Sequence, residues 1–133
     1  MRKVVVTNNP MVRDQYEKML DVDFVASYGY LDVLDRVRRL VHRGWIVATH
    51  PLSGSIKPNE TPYKSIIMQP MQEGSPLDYQ SLNLIEEAIQ TYQKFHHAKK
   101  LPQWKETVLE EFQIIDKSLI DSALPSMGLN YRS

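Results

Sequence analysis

Val4-Val5-Val6-Thr7-Asn8-Asn9-Pro10 is the stretch from which the fold is read. Three β-branched residues in an unbroken run describe a strand covered on both faces, because a strand with one wet face alternates apolar and polar residues. Thr7-Asn8-Asn9 ends the run. Asn9 is placed to cap a helix through its side-chain oxygen, and Pro10 suits a first helical turn, where its missing N–H costs nothing. A buried strand that feeds directly into a capped helix is the opening of an α/β unit.

Working outward, Val12, Tyr16, Met19 and Leu20 share one face of a helix expected over 10–20, and residues 22–26 form a second strand. Leu31, Leu34, Val37, Leu40 and Val41 then step at helical spacing. Arg36, Arg38, Arg39, His42 and Arg43 crowd the end of that helix, where cations suit the dipole, and Gly44 supplies a left-handed cap. This basic run is read as a solvated helix end rather than a binding patch. Residues 45–48 make a third strand and residues 65–69 a fourth. Between them lies a loop from Thr49 to Lys64, with prolines at 51, 58 and 62. Long connections of this kind in compact domains carry function or are disordered, and the prolines argue for a loop held in shape.

Leu82, Ile85, Ile89, Tyr92 and Phe95 mark a long amphipathic helix over 78–99, and Pro102 breaks the pattern. A last helix is expected over 103–122, with Trp104, Val108, Phe112, Ile115 and Leu119 on one buried stripe that Leu109 and Ile120 widen. The two are expected to pair as an antiparallel hairpin. The resulting expectation is a small layered, Rossmann-like α/β fold: about four mostly parallel strands flanked by helices, the fourth returning antiparallel on an edge. One domain is expected over 1–122, with the sheet and its helices in 1–99, the C-terminal helix in 103–122 and an irregular tail over 123–133.

The composition agrees with one globular core. Of 133 residues, 42% are hydrophobic and 24% charged, and sixteen basic residues balance sixteen acidic ones. Without a basic excess there is little drive toward nucleic acid or an anionic membrane. With no cysteine, the chain forms no disulfide, thiolate nucleophile or cysteine-ligated metal site. The opening Met1-Arg2-Lys3 and three valines are far short of a signal segment or a span of about 20 apolar residues, so a cytoplasmic location is expected. His96 and His97 are neighbours on a helix, about 100° apart, and cannot easily grip one metal. No metal and no cofactor are expected.

Ligands of open α/β sheets bind outside the carboxyl ends of the strands. Thr7, Asn8 and Asn9 follow the first strand and Thr49-His50-Pro51 the third, so both turns should share one edge. Tyr63 and Lys64 join them if the fourth strand is antiparallel, and Thr61 is a further ligand-binding candidate of the loop. His50 can act as acid, base or hydrogen-bond partner. Ser53, Gly54 and Ser55 can offer hydroxyls and N–H groups to an anion, without the glycine spacing of a phosphate loop. Lys57 and Lys64 can neutralise a carboxylate or phosphate, or pair with Glu60 and hold the loop. Asn8 and Asn9 are more often caps and turn formers than ligands, and Asn59 is a further ligand-binding candidate of the loop.

Two stretches, Val5-Val6-Thr7-Asn8-Asn9-Pro10-Met11-Val12 and His50-Pro51-Leu52-Ser53-Gly54-Ser55-Ile56-Lys57-Pro58-Asn59-Glu60-Thr61-Pro62-Tyr63-Lys64-Ser65, resemble the GrdX family. The likeness runs more loosely through Leu82-Asn83-Leu84-Ile85-Glu86-Glu87-Ala88-Ile89, covering roughly 1–97. The family comprises small proteins encoded beside glycine, sarcosine and betaine reductase components of amino-acid-fermenting anaerobes. The resemblance implies an accessory protein of a reductase system and assigns no catalytic residue; the loop 49–64, a candidate by its chemistry and placement, is expected to meet a partner protein such as a reductase component, or a small anionic metabolite. The alternatives are a small enzyme on a carboxylate or phosphate compound with His50 as acid or base, and a structural homodimer built on the last two helices.

Overall fold

A computed structural model describes residues 3–26, 29–52, 61–71, 77–98 and 104–126. The elements run β1 (Val4–Thr7), α1 (Pro10–Tyr16), β2 (Asp21–Phe24), α2 (Tyr30–His42), β3 (Trp45–Val47), β4 (Ser65–Pro70), α3 (Tyr79–Ala98) and α4 (Glu106–Ser126). Asn9 caps α1 as expected, its side chain accepting the Met11 N–H, with Pro10 in the first turn. That helix closes early, because the N–H groups of Met19 and Leu20 both donate to the Tyr16 carbonyl at 2.9 Å. Gly44 takes φ +100°, ending α2 in the left-handed conformation that glycine adopts without strain.

The four strands lie in the order β2-β1-β4-β3. β1 and β2 are parallel, with Val4 opposite Asp21 and Thr7 opposite Phe24. β4 runs antiparallel to both β1 and β3. The first three strands therefore point the same way, but only one pair is parallel, and the expectation of a mostly parallel, Rossmann-like sheet is corrected. β4 is also central rather than at an edge. The reason is legible in Ser65-Ile66-Ile67-Met68, all buried: a continuous apolar run needs cover on both sides, as Val4 to Val6 do. The strands with charged or half-exposed residues, β2 and β3, take the edges.

The alternation along β1 and β4 divides the core in two. Val4, Val6, Ile66 and Met68 face α2 and α3, packing with Val33, Leu34, Val37 and Ile85. Val5 and Ile67 face the opposite side, with Val12, Tyr16, Leu20, Ile120 and Leu124 from α1 and α4. Each fully buried side chain of this size contributes about 1.5–3 kcal/mol.

The last two helices thus do not form a hairpin. α3 packs beside α2, whereas α4 crosses to the face of α1. At seven residues, α1 is too short to cover Val5 and Ile67 alone. α4 continues to Ser126, past the expected end at 122, because Leu124 is buried against that core. Its buried line is Asp116, Ile120 and Leu124, whereas Ile115 is 42% exposed and Ile114 57%. The expected stripe through Ile115 is therefore turned partly to solvent. Trp104, just before α4, and Phe112 meet edge to face at 5.7 Å. Among the described residues, no helix is long and apolar enough to cross a membrane.

Candidate functional site

At the carboxyl end of β1, three consecutive polar residues are buried: Thr7, Asn8 and Asn9. They are buried because the antiparallel return of β4 places Thr7 opposite Ser65 and α4 closes over both. A buried polar group must be paired, and here the pairing crosses three elements. Asp116 of α4 accepts the Ser65 N–H at 3.0 Å through Oδ1. Its Oδ2 accepts the Ser65 hydroxyl at 2.6 Å and the Asn9 side-chain amide at 3.0 Å. With the Ser65 proton committed to Asp116, the Thr7 hydroxyl donates to Ser65 Oγ at 2.6 Å. Thr7 Oγ1 in turn accepts the Asn9 N–H at 2.9 Å. Asn9 also donates to the Gln113 carbonyl at 2.9 Å.

Asn8 ties down the end of the long loop. Its amide donates to the Pro62 carbonyl at 2.8 Å, and its Oδ1 accepts the Lys64 N–H at 3.0 Å. Thr61 Oγ1 accepts the Tyr63 N–H at 3.3 Å, and Gln113 donates to the Tyr63 hydroxyl at 2.9 Å.

Burial pushes the Asp116 carboxyl above its usual value. The Ser65 hydroxyl, the Asn9 amide, the Lys64 charge and the Ser65 N–H pull it back down. Burial likewise pushes the Lys64 ammonium down, and the Asp116 charge opposes that shift. The Tyr30 phenol is raised, by burial first and the Asp116 charge second.

Above this frame opens a cleft of about 500 Å³ between the first turn of α1, the end of β2 and the start of α4. Met11, Phe24 and Leu109 give it apolar walls, and Tyr63, Gln113 and Glu110 give it polar ones. Asn8, Pro10, Ala26 and Glu106 complete it. The Arg13 guanidinium lies 4.6 Å from the centre of the Phe24 ring and pairs with Asp14 at 2.9 Å. The position matches the site expected of open α/β sheets, outside the carboxyl ends of adjacent strands.

Of the residues expected from sequence, Thr7, Asn8, Asn9, Thr61, Tyr63 and Lys64 do converge, and Asn8 and Tyr63 line the cleft. The start of the long loop leaves the same end of the sheet, but beside β3, across β4 from β1. Ala48 and Thr49 both donate to the Ile67 carbonyl, at 2.8 and 3.3 Å, in a β-bulge at the far side of β4. The Pro51 carbonyl accepts the Tyr30 hydroxyl at 2.8 Å. His50 is exposed, its Nδ1 accepts the Leu52 N–H at 3.0 Å, and it does not line the cleft. Ser53, Gly54, Ser55, Lys57, Asn59 and Glu60 lie outside the described residues, as does the expected tail beyond 126.

Sequence reasoning missed Asp116, Gln113, Ser65, Phe24, Glu106 and Glu110. Asp116 left one signal: a carboxylate four residues after Phe112 and four before Ile120, inside an apolar period. Placing it required the correct phase of α4, which sequence spacing put one residue away.

A mixed four-stranded sheet, covered by two helices on each face and opening a cleft at the carboxyl ends of β1 and β2, defines a small mixed α/β protein. The GrdX-like protein family model matches residues 4–125, nearly the whole chain. The chain belongs to that family, and the likeness extends through α4, beyond the stretch recognisable by motif. No curated protein and no solved structure matches it.

Proposed function

We propose that this chain is an accessory protein of a glycine, sarcosine or betaine reductase system, and that the cleft between α1 and α4 receives a segment of a partner protein. The observation carrying the reading is the hydrogen-bonded frame beneath the cleft. Asn8, Asn9, Ser65 and Asp116 lock three separate chain segments around one concave surface. A preformed cleft binds at less cost in ordering than a loose one. Its apolar walls and carboxylates suit a protein segment better than the small anion expected from sequence, since Glu106 and Glu110 line it.

The enzymatic reading through His50 draws less support, because that side chain stands apart from the cleft. Titrating the purified chain against each purified reductase component by calorimetry tests the proposal. At least one component should bind, and Leu109→Arg, with its helicity unchanged, should weaken that binding tenfold or more. Absence of binding by every component would overturn the accessory reading.

A further inference from the structure

We propose that the outer edge of β2 accepts an extended, basic segment of the partner protein, which adds to the sheet as a fifth strand. This rests on the reading of the chain as a partner-binding accessory protein and adds how the partner is held.

The ladder geometry decides which backbone groups are free. Asp21 donates its N–H to the Lys3 carbonyl at 3.3 Å and Val25 to the Thr7 carbonyl at 2.7 Å. In a parallel ladder, alternate residues turn N–H and C=O to the same neighbour. Residues 21, 23 and 25 thus face β1, and Val22 and Phe24 turn theirs outward. Among the described residues β2 pairs with β1 alone and ends the sheet. The strand is not buried along its length. An edge of this kind is a template for another chain.

What lies beside the edge makes it more than an unpaired strand. Phe24 lines two clefts, one on each face of the sheet. The first is the cleft described above. The second, about 470 Å³, lies toward α2 and is lined by Asp23, Val25, Asp32, Asp35, Arg36 and Arg39. Successive side chains of an added strand point to opposite faces, so one segment would fill both clefts in alternation.

The charges select its chemistry. The first cleft carries Glu106 and Glu110 and no basic residue among its lining. The second is lined by three aspartates and two arginines, with Asp23 paired to Arg36 at 2.7 Å and Asp35 to Arg38 at 3.9 Å, so the carboxylates of the first cleft carry the selection. Asp21 and Asp23 on the strand itself discourage neutral strands from pairing and favour a basic one.

The probe is a capped peptide alternating lysine and valine over six residues, with its glutamate–valine counterpart as control. Nuclear magnetic resonance of the intact chain should show the Val22 and Phe24 amides shifting and gaining protection from hydrogen exchange with the lysine peptide and not with the control. Methylating alternate backbone nitrogens of the peptide should weaken binding about fivefold or more in the register that faces β2, as loss of backbone hydrogen bonds requires. No binding, equal binding of both peptides, or binding that leaves the Val22 and Phe24 amides unchanged would each overturn the edge proposal. A reductase component that binds without protecting these amides would leave the accessory reading standing and remove the edge. A peptide that protects them while no component binds would do the reverse.

Discussion

Asp116 holds the site together through buried hydrogen bonds to Ser65 and Asn9. Replacing it with alanine leaves the Ser65 N–H and hydroxyl without their acceptor, removes one of the two acceptors of the Asn9 amide, and takes away a negative charge that acts on Lys64. Loss of such bonds costs about 3 kcal/mol or more, so Asp116→Ala should lower the urea midpoint sharply with the slope unchanged. A variant as stable as the parent would show that the network contributes nothing. The pH dependence has a definite sign. Burial holds the carboxyl above its ordinary 3.8, so the folded chain keeps this proton longer than the unfolded chain does. The contribution of the group is therefore fully present below pH 3.8 and is lost as the pH rises through the folded value. Asp116→Asn cannot titrate. The stability of the parent relative to this variant should be greatest at low pH and shrink toward neutrality, and a difference independent of pH would refute the assignment. Lys64, lowered from 10.5, runs oppositely, regaining stability as the pH rises from its folded value toward 10.5.

At the scale of elements, α4 offers the clearest test, because its two sides lead to opposite expectations. Ile120 is 2% exposed and Ile114 57% exposed. Ile120→Ala should cost about 2–5 kcal/mol, through lost burial and the cavity left behind. Ile114→Ala should stay within about 0.5 kcal/mol. Equal costs, measured by denaturant unfolding, would mean that α4 does not bury the line through Asp116, Ile120 and Leu124. α2 ends on a backbone requirement instead. Gly44 lies at φ +100° with no neighbouring atom within 4 Å of where a Cβ would stand, so Gly44→Ala meets strain and no clash. A loss of about 1 kcal/mol or more is expected, and an unchanged midpoint would show that the turn relaxes to another conformation.

Across the whole molecule, the sheet has two covered faces, and neither pair of helices can be removed without exposing the strands. A chain ending at 99 would lose α4 and uncover Val5 and Ile67, both fully buried in the intact protein. Such a chain should bind a hydrophobic dye and lack a cooperative thermal transition, whereas a cooperative transition would show that the first part folds alone.

The capped entry into α1, the burial of β1 on both faces, the Gly44 stop and the convergence of Thr7, Asn8 and Asn9 with Tyr63 and Lys64 were all legible in the chain itself. Each depends on local chemistry: β-branching, a side-chain cap, a positive φ, or the direction of a strand whose connection lacks a helix. The place of β4 in the sheet, the departure of α4 from α3, and the cleft with Asp116 beneath it were decided only by tertiary packing. Spacing states that a helix has an apolar face but not which surface it covers. Here the short α1 left part of one sheet face bare, and α4 covers it, carrying Asp116 to the end of β1.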